Sequence, residues 1–265
     1  MFTDTFIEIG SQHKVCEDYI ISGNDPVPYV ILSDGCSTSD NTEMGSRILS
    51  LLARQFLRYN ADDLHDLDYW KLGSWVIHNA EQTARHLGLS RSCLTATLIV
   101  AYYIDGNLRV MMYGDGSVVT VGNMGSIEIT SIEYESNAPY YLVYLIDQFR
   151  HDLYEEKSPM KTIKTIYGDS SVNEETVAYD QPSVFNINMN LNQIVLPMSD
   201  GIDSFLHGQE RQSAEQIMPL FVNFKNTKGE FLKRRLNKQM KSFAKSGIHH
   251  FDDLSIGAFL KIEEQ

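Results

Sequence analysis

The sequence predicts an α+β fold in which antiparallel strands and helix pairs occupy separate layers. Three observations carry this. Strand-like segments open the chain, two helical stretches follow, and a long series of strand-like segments then precedes a second helix pair and one last strand. A hairpin is the clearest local signal: β-rich runs at 94–104 and 108–113 are joined by Asp105-Gly106, a dipeptide suited to a tight turn. Finally, the helices come in pairs and do not alternate with strands, which argues against a parallel sheet.

Taken in order, residues 2–9 and 15–22 read as short strands, and Asp25-Pro26-Val27-Pro28 as a turn. The run Val30-Ile31-Leu32-Ser33 reads as a strand buried on both faces that stops abruptly at Asp34-Gly35. Asp40-Asn41-Thr42-Glu43 then offers a helix N-cap with Glu43 in the capping-box position. Met44, Ile48, Leu51, Leu52, Phe56 and Tyr59 follow helical spacing, giving one amphipathic helix to about residue 59. A second helix is expected over about 68–87, with Tyr69, Leu72, Val76, Ala80, Thr83 and Leu87 on one face and Gly88 closing it. Residues 118–121 and 127–132 form a second hairpin around Gly122-Asn123-Met124-Gly125. Residues 136–192 are rich in Tyr and Asn, with strands expected near 140–146, 161–167 and 176–179. A buried strand at 193–198, helices at 213–222 and 229–244, and a strand at 254–260 complete the chain. The helix at 229–244 turns Leu232, Leu236, Met240 and Phe243 inward.

Composition sets outer bounds. At 265 residues, 43% hydrophobic and 22% charged, the chain fits one large domain or two small ones. No apolar run approaches the roughly twenty residues of a membrane span, and Met1-Phe2-Thr3-Asp4-Thr5 lacks a signal-peptide pattern. Three cysteines, Cys16, Cys36 and Cys93, with no Cys-x-x-Cys pair, point to free thiols and a reducing, cytoplasmic setting. A net charge of −13 disfavours nucleic acid as a partner. The one basic run, around Lys233-Arg234-Arg235, reads as the solvated face of a helix. An acidic protein can still handle phosphate groups where metal ions neutralise its carboxylates.

Carboxylates recur at strand ends: Asp34, Asp115 in Gly114-Asp115-Gly116, Asp200 in Ser199-Asp200-Gly201, and Asp252-Asp253 before the last strand. Glu17-Asp18 lies in the expected second strand. Each aspartate taken singly also suits a turn or a helix cap. As a set, hard oxygen ligands suit Mg²⁺ or Mn²⁺, whereas the histidines show no zinc spacing.

The ordered series Glu17-Asp18, Ser33-Asp34-Gly35, Thr95-Ala96-Thr97, Gly114-Asp115, Ser199-Asp200-Gly201 and Asp252-Asp253-Leu254-Ser255 resembles the type 2C metal-dependent Ser/Thr protein phosphatases, in their compact bacterial form. The resemblance spans about residues 6–261. It implies a single domain over 1–265, built as a four-layer αββα sandwich of two antiparallel sheets flanked by helix pairs. It also implies a variable flap-like segment at about 136–192 that touches substrate. By the same resemblance Asp34 would bridge two Mg²⁺ or Mn²⁺ ions, with the Gly35 carbonyl on one of them. Asp200 and Asp252 would serve the other, and Asp115 a weaker third. Glu17 would hold a metal-bound water, with Asp18 in support, and a bridging water would attack phosphorus directly. The implied partner is a phosphorylated protein, opposing a Ser/Thr kinase, with neither nucleic acid nor membrane involved and a monomer as the expected state.

The chain departs from the family at defined places. Where the family carries a phosphate-binding Arg, four residues before the Glu, this sequence has His13 followed by Lys14. Either is a candidate phosphate contact, Lys14 only if its strand is bulged. Cys36 occupies a position where members carry His or Met, and Asp253 replaces an Asn. These departures motivate an alternative reading, a non-catalytic phosphatase fold that senses or scaffolds a phosphoprotein.

Overall fold

In the computed structural model, which describes residues 1–157 and 159–261, alternating side chains explain the layering. In β3 (Tyr29–Ser33), Tyr29 and Ile31 pack beneath helices α1 (Thr42–Tyr59) and α2 (Tyr69–His86). Val30 and Leu32 point the other way, into an apolar layer shared with a second sheet. Strand β4 (Leu98–Ile104) alternates likewise, and pairs with β5 (Asn107–Tyr113) around Asp105-Gly106 as expected. With β2 (Tyr19–Gly23) and β10 (Ser183–Asn188) these form an antiparallel five-stranded sheet, ordered β10-β5-β4-β3-β2.

The second sheet has seven strands, ordered β1-β15-β11-β6-β7-β8-β9. Its members are β1 (Phe2–Glu8), β6 (Gly116–Gly122), β7 (Ile127–Tyr134), β8 (Met160–Ile166), β9 (Val172–Ala178), β11 (Asn192–Met198) and β15 (Leu254–Leu260). Leu254, Ile256, Ala258 and Leu260 of β15 pack under α4 (Ala214–Phe221) and α5 (Phe231–Lys245). Phe259 faces the other sheet, and Gly257 comes so close that an added Cβ would lie 2.2 Å from a Val30 methyl. The layers are therefore helix pair, five strands, seven strands, helix pair. This is the sandwich the resemblance implied.

Several local expectations need correction. Residues 15–18 are not strand, so Glu17 and Asp18 stand in the loop before β2 and strand alternation does not govern Lys14. At α1 no capping box forms: Asn41 is left-handed and makes no side-chain cap, while the Thr42 hydroxyl turns to Glu17 instead. The buried face of α1 is Ile48, Leu49, Ala53, Phe56 and Leu57; Met44, Leu51 and Tyr59 are exposed. Small residues decide this rotation. Gly45 lies against the Cys93 carbonyl, where a Cβ would be only 1.7 Å away, and Ser46 and Ser50 are buried beside it. On α2 the expected face is buried at Tyr69, Leu72, Val76 and Ala80, half-buried at Thr83 and exposed at Leu87, while Asp68 caps the helix through the Lys71 N–H at 2.7 Å.

The segment 136–192 differs most. Residues 142–145 form a 3-10 turn where a strand was expected, and α3 (Gln148–Lys157) and β10 went unread. β8 and β9 form as expected, extending the seven-stranded sheet at its edge. Buried Lys161 ties this hairpin down, donating to Gln181 O and to Ser183 Oγ at the start of β10. Three short strands, β12 (Phe205–His207), β13 (Glu210–Arg211) and β14 (Ile248–His250), make a small third sheet too brief to read from periodicity. Among the described residues no helix is long and apolar enough to cross a membrane.

A candidate metal centre between the sheets

The alternation that builds the inter-sheet layer also delivers the acidic residues. Continuing past Val30 and Leu32, Asp34 points to the same inter-sheet side at the end of β3. Its position is fixed by the ribbon Thr95-Ala96-Thr97. Asp34 N donates to Thr97 Oγ1 at 3.0 Å, Thr97 N to Asp34 O at 2.8 Å, and Gly35 bridges Ala96. Gly35 has no room for a side chain, since a Cβ would sit 2.7 Å from Thr42. On the seven-stranded sheet, Ser199 follows Val195 on the inward face. Its Oγ donates to Asp18 Oδ2 at 2.9 Å and accepts from Ser255 N at 3.0 Å. Asp200 begins the turn after β11, Asp115 the turn before β6, and Asp252-Asp253 precedes β15.

Asp18, Asp34, Asp115, Asp200 and Asp252 thus meet at one edge of the sandwich, close enough to disturb one another. The Asp34 pKa is raised well above the carboxylate range, by burial first and then by Asp18 and Asp200, with Asp115 adding to it. Burial lifts Asp18 to about 7, against the opposing help of Ser255 and Ser199. Asp115 is pushed to about 8 by burial and by Asp200 and Asp252. Asp252 is raised too, by burial and then Asp200. Among the described residues no lysine or arginine forms an ion pair with Asp18, Asp34, Asp115 or Asp200. Asp18 Oδ1 is buried with no hydrogen-bond partner among the described residues. Like charges gathered without a protein cation fit a site completed by divalent ions. Asp115, Asp200 and Asp252 also line a cleft of about 800 Å³, with Asp203, Lys164 and Arg211 further along it.

Glu17 stands beside this group. It accepts from the Thr42 hydroxyl at 2.9 Å, and its own N–H donates to Asp253. Burial raises its pKa against that hydrogen bond. His13 is not free to reach outward: Nδ1 lies 3.1 Å from Asp253 and 3.8 Å from Glu17, and Nε2 lies 3.3 Å from Asp252. Burial acts to lower its pKa, but these carboxylates outweigh burial and raise it. Lys14 is exposed and forms no ion pair among the described residues. Cys36 is half-buried, its N–H on Thr95 O at 2.9 Å and its Sγ 3.1 Å from Thr38 Oγ1.

Two neighbours escaped sequence reasoning. Tyr141 lies near Asp115, Cys36 and Asp34; burial first, and then the neighbouring carboxylates, raise its pKa. Arg150 of α3 donates to Thr95 Oγ1 at 3.2 Å. Neither belongs to a spacing pattern; only the fold of 136–157 brings them here. Separately, His151, Asp152 and Glu155 on α3 offer ligand atoms within 4.8 Å of one another, a second set able to hold a metal, on a more exposed surface.

Sandwich and acidic edge together define the protein phosphatase 2C architecture. The sequence model of that family, protein phosphatase 2C, matches residues 10–243, so the chain belongs to it. Solved structures agree on the fold. A bacterial serine phosphatase superposes with a TM-score of 0.63 at 14% identity, covering 100% of this chain and 99% of that one. The serine/threonine phosphatase Stp1 from Staphylococcus aureus gives 0.56 at 14% identity, over 99% and 95% of the two chains. The Mycobacterium tuberculosis serine/threonine phosphatase PstP/Ppp gives 0.53 at 13% identity, over 98% and 99%. No curated protein matches by sequence.

Proposed function

We propose that this chain is a Mg²⁺- or Mn²⁺-dependent phosphatase that hydrolyses phosphoserine and phosphothreonine in a protein substrate. One observation carries the reading: Asp18, Asp34, Asp115, Asp200 and Asp252 gather at one edge of the sandwich, three of them lining a cleft, and among the described residues none is paired with a lysine or arginine. Asp34, Asp200 and Asp252, with the Gly35 carbonyl, are the residues that would hold two ions, and Asp115 would serve a weaker third. Bound there, such ions supply a water of lowered pKa and neutralise charge on the phosphoryl oxygens. Glu17, which accepts from Thr42, would orient that water, and Asp18, which accepts from Ser199, would support it. Among the described residues no side chain stands here as a paired nucleophile and base, which favours direct attack by water over a phosphoenzyme route.

The test is hydrolysis of a small aryl phosphate and a phosphoserine peptide with added Mn²⁺. Asp34→Ala and Asp200→Ala are each expected to remove activity, by at least about a hundredfold given the charge each supplies at the reacting centre. Undiminished turnover in EDTA, or in either variant, overturns the proposal. The alternative of a non-catalytic phosphoprotein sensor draws on His13, which replaces the family arginine and is engaged by carboxylates. Phosphopeptide binding without turnover in the presence of Mn²⁺ would favour it.

A further inference from the structure

A phosphate monoester entering this cleft would carry two negative charges, and the N-terminal loop offers it little. Both ring nitrogens of His13 face carboxylates, at 3.1 and 3.3 Å. Two cations line the cleft further along: Lys164, 3.8 Å from Glu174, and Arg211, which donates to the Asp203 carbonyl. Arg150 stands differently. The bridge between Gly35 and Ala96 sets Asp34 opposite Thr97 and Cys36 opposite Thr95. In an antiparallel pair these four side chains lie on one face, with Gly35 and Ala96 on the other. Arg150 Nη1 donates to Thr95 Oγ1, so its guanidinium is anchored on the face that carries Asp34 and Cys36. Tyr144, beside both Arg150 and Cys36, packs against the same corner.

The guanidinium keeps donors to spare there. Thr95 and Tyr144 offer it only neutral hydroxyls, Asp147 lies 3.9 Å from Nε, and the side chain is 39% exposed. A guanidinium has five N–H donors in a planar fork that suits phosphate. We propose that Arg150, delivered by α3, binds the phosphoryl oxygens of the substrate and takes over the role that His13 does not fill. This rests on the phosphatase reading above. It also accounts for α3 itself, since that helix places a cation over the loop that follows β3.

Two measurements on the Mn²⁺-loaded full chain test this: calorimetric binding of inorganic phosphate, and steady-state hydrolysis of an aryl phosphate and a phosphoserine peptide. Arg150→Ala is expected to weaken phosphate binding and raise KM for both substrates by roughly ten- to a hundredfold, with kcat changed less. Arg150→Lys should keep part of the affinity, since an ammonium retains the charge but not the fork. Arg150→Gln, which keeps a polar side chain without the charge or the fork, repeats the loss if the alanine variant folds poorly. Unchanged phosphate binding in these variants overturns the assignment. So does a KM rise confined to the peptide, or a loss seen in Lys14→Ala and not in Arg150→Ala. Should the wild type bind phosphate through Arg150 yet hydrolyse nothing, the phosphatase reading fails while the assignment stands.

Discussion

Asp253 is where the hydrogen bonding around the site converges. Its Oδ1 accepts from Gly10 N at 2.7 Å and its Oδ2 from Glu17 N at 2.6 Å, with His13 Nδ1 3.1 Å away. Both oxygens therefore face backbone donors. An asparagine cannot satisfy that arrangement, because its amide would oppose one N–H with another. Asp253→Asn is expected to cost about 1–3 kcal/mol, the usual penalty for an unsatisfied buried donor. It should also loosen the loop that carries Glu17. Urea unfolding checks this, and an unchanged midpoint would count against it. The sequence marks Asp253 only as a mild departure from an Asn, because a carboxylate's partners on a distant loop leave no trace in local spacing. Asp34, Asp200, Asp252 and Asp115 were legible for the opposite reason: each ends or flanks a strand whose apolar run announces it. Thr42, which holds Glu17, resembles an ordinary helix-start residue and gave no such signal, and Ser199 was marked only as part of its motif, with no sign that it holds Asp18.

At the scale of elements, the turn after β11 and the start of β15 are pressed together. A Cβ on Gly201 would fall 1.9 Å from the Asp253 carbonyl oxygen, a backbone atom that cannot swing aside. Gly201→Ala is expected to cost about 3 kcal/mol by overpacking, and to weaken Mn²⁺ binding because Asp200 and Asp252 must part. Unfolding and metal calorimetry on one preparation would read both; a stability loss with metal affinity intact would separate the turn from the centre. Strands with strong alternation, such as β4, β5 and β15, were readable because one periodicity serves both faces. The segment 136–192 was not. The residues at 142–145 are apolar enough for a strand but bury themselves in a 3-10 turn, where tertiary packing outweighs propensity. Helix α3 buries only Tyr154, so it has almost no apolar stripe to recognise.

For the molecule as a whole, the clustered carboxylates make stability depend on metal and pH together. In protein stripped with EDTA, Asp18 holds its proton to about pH 7 and Asp115 to about pH 8, and Asp34 is shifted the same way. An unfolded aspartate loses its proton near pH 4. Above that pH the folded state binds more protons than the unfolded one, so stability falls as pH rises towards 8. The slope is about 1.4 kcal/mol per pH unit for each retained proton. His13, also raised, acts in the same direction. Excess Mn²⁺ should flatten the decline, since a cation favours the ionised carboxylates. Urea midpoints from pH 5 to 8, with EDTA and with Mn²⁺, give the answer; a stripped protein more stable at pH 8 than at pH 5 would refute the account.

The span of the bonds at the site has one more consequence. Asp253 reaches Gly10 across 243 positions and Glu17 across 236, while Ser199 reaches Asp18 across 181. Closing loops of that size is entropically slow, so contacts between them belong to the end of a folding reaction. Metal capture should accordingly lag behind the recovery of helical signal during refolding. On the phosphatase reading, an ion would then be a late clasp on a chain already assembled, and a nascent or proteolytically nicked chain lacking β15 would not acquire activity prematurely.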